Sequence, residues 1–273
     1  MKKNITVALA ILGLAVCAQA YDKADFLRQY RDTISIVETN YKEEMPISEY
    51  ERIQIFKKEF LIRAAEFGPR ALLEKTLALA TNPRQLLEED NYGRTALFYA
   101  ADAETVDALV LRLQQLETKE QLGNITSWTS KKGIQTPKTR KIAEKFINKK
   151  DKQGAPALFV LLRDGKTSAA KRLIERGADL NLKDEDKVTV LHMAVLEASD
   201  DNPQAQALVR QIAGRSPYLA AAKDKDGRTP ADWAKRGGYA STRDYLSDLA
   251  KRVEASQRQD LQDRLANMSL NAL

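Results

Sequence analysis

The sequence is poor in the residues that most often carry chemistry. Its 273 residues hold one cysteine, Cys17, and one histidine, His192. A single cysteine excludes an internal disulfide framework and any multi-cysteine zinc site, and a single histidine excludes His-pair metal sites. Carboxylate sites for hard cations stay open on composition alone. Aromatic residues make up only 7% of the chain, with 12 glycines and 8 prolines, too few for a collagenous or largely disordered polypeptide. No Gly-x-Ser-x-Gly elbow, phosphate-cradling glycine loop or dinucleotide fingerprint occurs. The acid pairs Glu43–Glu44, Glu88–Glu89 and Asp200–Asp201 are adjacent, and adjacent side chains diverge, so a glycosidase-like pair is unsupported. What the chain does have is 43% hydrophobic and 30% charged residues and a formal charge of +6. That is ample apolar content for one elongated domain or two compact ones. The composition therefore predicts no catalytic residues, no metal and no cofactor, and points to an interaction protein.

Residues 1–20, MKKNITVALAILGLAVCAQA, have three zones: a positive start at Lys2 and Lys3, an apolar run from Ile5 to Val16, and small residues at Ala18 and Ala20. This is the pattern of a secretory signal peptide cleaved after Ala20, the run being too short to span a bilayer comfortably. The expected destination is the periplasm. A lipoprotein signal through Cys17 is disfavoured, since Val16 precedes it where a small residue is wanted. Cleavage would leave a cysteine-free chain of charge +4 beginning at Tyr21. Packing alone would then hold the exported fold. No later segment is apolar enough to cross a membrane.

Internal similarity governs the rest. Four segments share one frame: DNYGRTALFYA from Asp90, DKQGAPALFVL from Asp151, DEDKVTVLHMA from Asp184 and DKDGRTPADWA from Asp224. The spacings are 61, 33 and 40 residues, with the surplus of the last interval expected in residues 199–203. Each frame resembles the ankyrin repeat, whose pattern runs Asp-x-x-Gly-x-Thr-Pro-Leu-His-x-Ala. The likeness is tight at LIERGADLN, residues 173–181, and at GRTPADWA, residues 227–234, and it extends over about residues 57–246. Lys187 stands in place of the turn glycine and Pro156 in place of the threonine, and His192 is the one histidine kept. The resemblance implies an all-α solenoid of stacked helix-turn-helix units with capping helices at both ends.

Local chemistry agrees with it. A turn, glycine-containing in three of the four frames, leads toward a helix cap, as at Thr95, Thr189 and Thr229. A short helix follows, carrying for example Leu97, Ala100 and Ala101. A longer one comes next, through Val106, Leu109, Val110 and Leu113 or Ala169, Ala170, Leu173 and Ile174. Gly177 falls where a helix needs a left-handed C-cap. One such pair cannot bury its apolar face alone, so units stack. Residues 60–87 read as a degenerate first unit. Residues 22–44 (Phe26, Tyr30, Ile34, Val37 and Tyr41 on one side) and 239–266 (Tyr245, Leu246, Leu249, Val253) read as amphipathic caps. The expected divisions are thus 1–20, 21–56, 57–113, 114–150, 151–246 and 247–273.

Residues 114–150 read as a basic insert or divergent repeat, with a loop through Gly123–Pro137 and then a helix to Phe146. Nine basic residues and two acids lie between Lys131 and Lys152, a local charge of +7. Its cations are Lys131, Lys132, Lys138, Arg140, Lys141, Lys145, Lys149 and Lys150. This patch is either a solvated decoration or a docking site for an acidic surface, such as a protein, anionic lipid or envelope polymer. Nucleic acid is not expected as a partner of an exported protein. Trp128 reads as an anchor of the insert and Trp233 as a core filler.

The resemblance further implies a non-catalytic scaffold that binds a partner protein through its turns and concave face. A toxin-neutralising or enzyme-supporting accessory role is one specific form of this. Family contacts carried onto this chain fall on Asn91, Tyr92 and Arg94; Lys152, Gln153 and Ala155; Glu185, Asp186 and Val188; and Lys225, Asp226 and Arg228. Asp102, Lys235 and Arg236 extend the same surface, and Tyr92 with its neighbouring arginines has the most hot-spot character. The family role implied for His192 is a hydrogen bond between neighbouring turns.

Overall fold

A computed structural model describes residues 28–35, 60–126 and 140–270. The signal-peptide segment, Phe26, Val37, Tyr41, Trp128, Lys131, Lys132 and Lys138 lie outside the described residues. The described chain is helical, with two isolated β-bridges, Lys150–Pro156 and Lys183–Thr189, and no strand among the described residues. It divides into two compact units, Ala15–Asp179 and Leu180–Leu273.

The first unit opens on α1 (Phe60–Phe67) and α2 (Arg70–Ala78). Phe60, Leu61, Ala64 and Ala65 of α1 and Leu72, Leu73 and Leu77 of α2 are buried, at the i, i+3, i+4 spacing that makes one apolar face. Residues 28–35 are largely helical, and Tyr30 sets its ring 5.4 Å from that of Phe60. The next repeat's first helix is a 3-10 turn, Ala96–Tyr99, where an α-helix through Ala101 was expected. Its i→i+3 bonds run from Phe98 N to Thr95 O and from Ala100 N to Leu97 O, and the Ala101 N–H leaves the turn to bond Ala65 O at 3.1 Å. Leu97 and Ala100 are buried as expected, whereas Ala101 is exposed.

Helix α3 (Ala103–Thr126) is 24 residues long, against 9 for the corresponding helix of the next repeat. Val106, Leu109, Val110 and Leu113 form its buried face. Arg112 reaches the orphan carbonyls at the end of α2, Ala78 O at 2.9 Å and Ala80 O at 2.7 Å. Helix α4 (Arg140–Ile147) packs on α3 through Ala143, Phe146 and Ile147. The chain then enters the turn at Asp151, α5 (Ala157–Arg163) and α6 (Thr167–Glu175). Helix α5 is buried along almost its whole length, and α6 buries Ala169, Ala170, Leu173 and Ile174. Gly177 follows with φ +97°, and Ala178 N bonds Leu173 O, a left-handed C-cap.

Helix α6 packs directly on α3, and α5 on the 3-10 turn. Arg176 clasps Asp107 across the first contact at 2.8 and 2.7 Å. Lys166 spans the second with its ammonium on Tyr99 O at 2.9 Å. The 61-residue interval is therefore one enlarged repeat. The turns at Asp90 and Asp151 belong to consecutive repeats, and α3 and α4 lie in the interval between them.

In the second unit, α7 (Val190–Val195) and α8 (Pro203–Arg215) follow the turn at Asp184, and α9 (Pro230–Gly237) and α10 (Ala240–Leu270) follow the turn at Asp224. A 3-10 turn, Pro217–Ala221, lies between α8 and the second turn. Asn202 caps α8, its Oδ1 accepting from Ala205 N at 3.1 Å, with Pro203 in the first position where no donor is needed. The surplus residues of this interval lie partly in the loop 196–202 and partly in α8, which has 13 residues. Helix α10 buries Leu246 and half-buries Tyr245, Leu249 and Val253, and Arg210 lies 4.7 Å over the Tyr245 ring. From Glu254 to Leu265 every position is exposed, beyond the apolar positions Tyr245, Leu246, Leu249 and Val253 on which the helix packs. Between Val253 and Leu261 the sequence offers no large apolar residue to hold the helix down.

Candidate functional site: two pairs of stacked turns

The four Asp-headed frames fold into one repeated device. In each, the aspartate's Oδ1 accepts from the backbone N–H groups two and four residues on. The bonds are Asp90 to Tyr92 and Arg94, Asp151 to Gln153 and Ala155, Asp184 to Asp186 and Val188, and Asp224 to Asp226 and Arg228, all between 2.7 and 3.0 Å. The aspartate's own N–H bonds the carbonyl four residues on in every case. This consumes the backbone donors of the turn and fixes its conformation. The fourth position is left-handed throughout: Gly93, Gly154 and Gly227 have φ between +75° and +78°, and Lys187 has φ +59°. A lysine there carries a side chain in a region that favours glycine.

Turns stack within each unit by one further bond. Lys152 N donates to Tyr92 O at 2.9 Å, and Lys225 N donates to Asp186 O at 2.8 Å. The register is the same in both pairs, with the residue after one aspartate meeting the second residue after the preceding one. Close approach requires Gly93, because a Cβ there would meet the Lys152 side chain at 3.1 Å and its backbone N at 3.3 Å.

The second carboxylate oxygens distinguish the turns. Asp90 Oδ2 accepts from Tyr99 Oη at 2.6 Å, and burial together with that carboxylate pushes the Tyr99 phenol well above its ordinary range. Asp151 has a fully buried side chain, and its Oδ2 takes Arg94 Nε from the preceding turn at 2.9 Å. In the last turn Arg228 folds back onto its own Asp224 at 2.8 Å and also pairs with Asp226, while Trp233 Nε1 donates to Asp224 Oδ2 at 3.0 Å. Burial raises the Asp224 carboxyl, but the Arg228 amide, Trp233 and the guanidinium outweigh it and hold the group below the usual carboxylate value.

His192 is buried and links the second pair. Its Nδ1 accepts from Thr189 N and Oγ1 at 3.3 and 2.8 Å, so Nε2 carries the proton and donates to Arg228 O at 3.0 Å. The Trp233 ring stands edge-on at 5.3 Å. Burial is the main cause that lowers the His192 pKa, opposed by the Arg228 carbonyl and Asp224. The bond between turns implied for this histidine is present.

The caps differ in a way that follows from the residue three places after the threonine. Thr229 and Asp232 form a reciprocal capping box. Thr189 uses His192 in the same place. After Thr95 that position is Phe98, and the buried Thr95 hydroxyl has no hydrogen-bond partner.

The candidate contacts now sort by exposure. Asn91, Tyr92, Lys152, Gln153, Glu185, Lys225, Asp226, Lys235 and Arg236 are exposed, with Tyr92 the most open large apolar residue among those described, at 60%. Ala155 and Asp186 are half-buried, and Asp186 is paired with Lys225 at 2.6 Å. Val188 is a correction: it is 3% exposed, because its apolar side chain turns from the tip into the core. Arg94 is likewise withdrawn, its side chain 12% exposed and committed to Asp151. Arg228 is committed to Asp224 and Asp226. Asp102 caps α3, accepting from Thr105 N at 2.8 Å. Of the insert cations, Arg140 and Lys141 fall in the first turn of α4, Lys145 is exposed on α4, and Lys149 pairs with Glu89 at 2.5 Å. Lys150 is exposed and bridges to Pro156.

Among the described residues no three His, Cys, Asp or Glu side chains converge as metal donors. None of the described helices is long and apolar enough to cross a membrane.

Residues 158–200 match the family model described as ankyrin repeats in many copies. Residues 158–200 of this chain are thus ankyrin repeats, the family that the frames resemble. No curated protein matches it. Ankyrin repeats are protein–protein interaction modules and in general non-catalytic binding scaffolds. The matched segment begins in α5 and contains α6, the Asp184 turn and all of α7. The frame at Asp90, with its 3-10 turn and unsatisfied cap threonine, lies outside it.

Proposed function

We propose that this ankyrin-repeat chain is an exported, non-catalytic scaffold that holds a partner protein on the tips of its turns. One observation carries the reading: each turn is pinned by its aspartate, and paired turns are tied to each other through Lys152 N and Lys225 N, while tip side chains such as Asn91, Tyr92, Lys152, Gln153 and Glu185 are exposed. Rigid tips lose little conformational freedom on binding, which favours affinity. Capture by immobilised wild-type protein tests this against a variant combining Asn91→Ala, Tyr92→Ala and Glu185→Lys. The expected result is a partner retained in stoichiometric amount by wild type and lost by a variant with unchanged thermal unfolding. Retention of every wild-type partner by the variant contradicts it.

Export rests on the three-zone pattern of residues 1–20. N-terminal sequencing of the protein from a periplasmic fraction is expected to begin at Tyr21. Protein found only in the cytosol with Met1 or Lys2 first contradicts export.

A further inference from the structure

We propose that the Asp90–Asp151 turn pair recognises an acidic segment of the partner, one that sets a carboxylate on Lys152 beside an apolar residue on Tyr92. This rests on the protein-binding reading above and adds the chemistry of the bound segment. Tyr92 is 60% exposed, and its ring lies 5.4 Å from the Arg94 guanidinium. That guanidinium is itself neutralised by the buried Asp151. The ring is thereby supported from beneath by a group with no charge to spare. A large amphipathic side chain held in this way is the kind of residue on which interface energy concentrates.

Beside it, the Lys152 stem lies against Gly93, and its backbone is tied to Tyr92 O. Lys152 is exposed, and among the described residues no carboxylate stands within ion-pair distance of its ammonium. Of the other nearby ions, Lys149 pairs with Glu89 and Arg94 with Asp151, while the Asp90 carboxylate is turned inward onto its own turn's amides and Tyr99. The pair at Asp184 and Asp224 has the opposite character. There Lys225, at the position matching Lys152, is neutralised by Asp186, and Glu185 is exposed beside it. An exposed ammonium outside any ion pair, next to an open aromatic ring, thus occurs in this pair and not in the other, and it favours a carboxylate adjoining an apolar group.

The test is an array of short random peptides probed with the full-length chain at low ionic strength. Wild type is expected to enrich Asp or Glu next to an aromatic or aliphatic residue. Lys152→Glu is expected to abolish the acidic preference and to weaken the selected peptides about fivefold, the scale of one exposed ion pair. Tyr92→Ala is expected to remove the apolar preference, and Lys225→Glu to change neither. Binding that requires Tyr92 but shows no acidic enrichment overturns this inference and leaves the protein-binding reading standing. Binding indifferent to Tyr92, Asn91 and Glu185 overturns both. Enrichment unchanged by Lys152→Glu also overturns the inference, and because the substitution is at an exposed tip, unchanged circular dichroism confirms that the fold is intact.

Discussion

The two turn pairs are built on the same hydrogen-bond plan and differ in where their charges end. In the Asp90–Asp151 pair a side chain from the earlier turn, Arg94, crosses to the buried aspartate of the later one. In the Asp184–Asp224 pair the corresponding position is Val188, which turns inward, and the buried link is the imidazole of His192 on Arg228 O, with Lys225 pairing across to Asp186 at the surface. The later aspartate there is satisfied from its own turn by Arg228 and Trp233. A buried carboxylate must be answered, but the answering group need not come from a fixed place. Where it comes from decides what the tips have left to offer. The first pair keeps a free lysine and an open tyrosine, and the second ties its lysine to Asp186.

The largest effect that separates the pairs is expected at Asp151. Asp151→Ala leaves two backbone amides without their acceptor and strands a largely buried Arg94, and it should cost about 3 kcal/mol in urea unfolding. Asp184→Ala, in a more open turn, should cost about 1 kcal/mol. Equal costs would mean that the ion pair between turns contributes nothing.

A second contrast is pH. Since burial depresses the folded pKa of His192 below its ordinary 6.5, the unfolded chain binds the extra proton first. The contribution is intact above about pH 6.5 and is lost as pH falls below it. Stability should drop by about 1 kcal/mol between about pH 7.5 and 5.5, and His192→Gln should flatten that slope. A slope that the substitution leaves unaltered would remove His192 from the account.

The cap comparison is next in size. Thr229→Val should cost about 1 kcal/mol, because it breaks a reciprocal capping box. Thr95→Val should be neutral or slightly stabilising, since its buried hydroxyl has no partner to lose. Thermal unfolding of the two variants side by side decides it. Smallest is Lys187→Gly, expected to gain about 0.5 kcal/mol by relieving a left-handed lysine.

Much of this was legible in the chain itself. The four frames located the turns, Gly177 located a helix end, and the histidine's frame implied its bond between turns. The 61-residue interval was not decidable, because a length near two periods fits either a divergent repeat or an enlarged second helix. The packing of α6 on α3 and the direct bond from Lys152 to Tyr92 distinguish them. The candidate contacts were also only partly readable. Spacing marks a residue as beside a turn glycine, but it does not reveal whether its side chain is spent. Arg94 and Tyr92 are two positions apart, and one is buried in an ion pair while the other is the most exposed ring among the described residues. Val188 looked equivalent to Arg94 by position, and its apolar side chain sent it inward.

The central claim is that consecutive turns stack in register, so that exposed tip residues stand on a locked backbone. Amide hydrogen exchange resolved at Lys152 and Lys225 tests it most directly. Both side chains are exposed, yet both N–H groups are bonded to the neighbouring turn. The account predicts that both amides exchange at least about a hundredfold more slowly than in an unfolded chain. Exchange at the unprotected rate at either site would contradict the stacking on which that turn pair's surface depends.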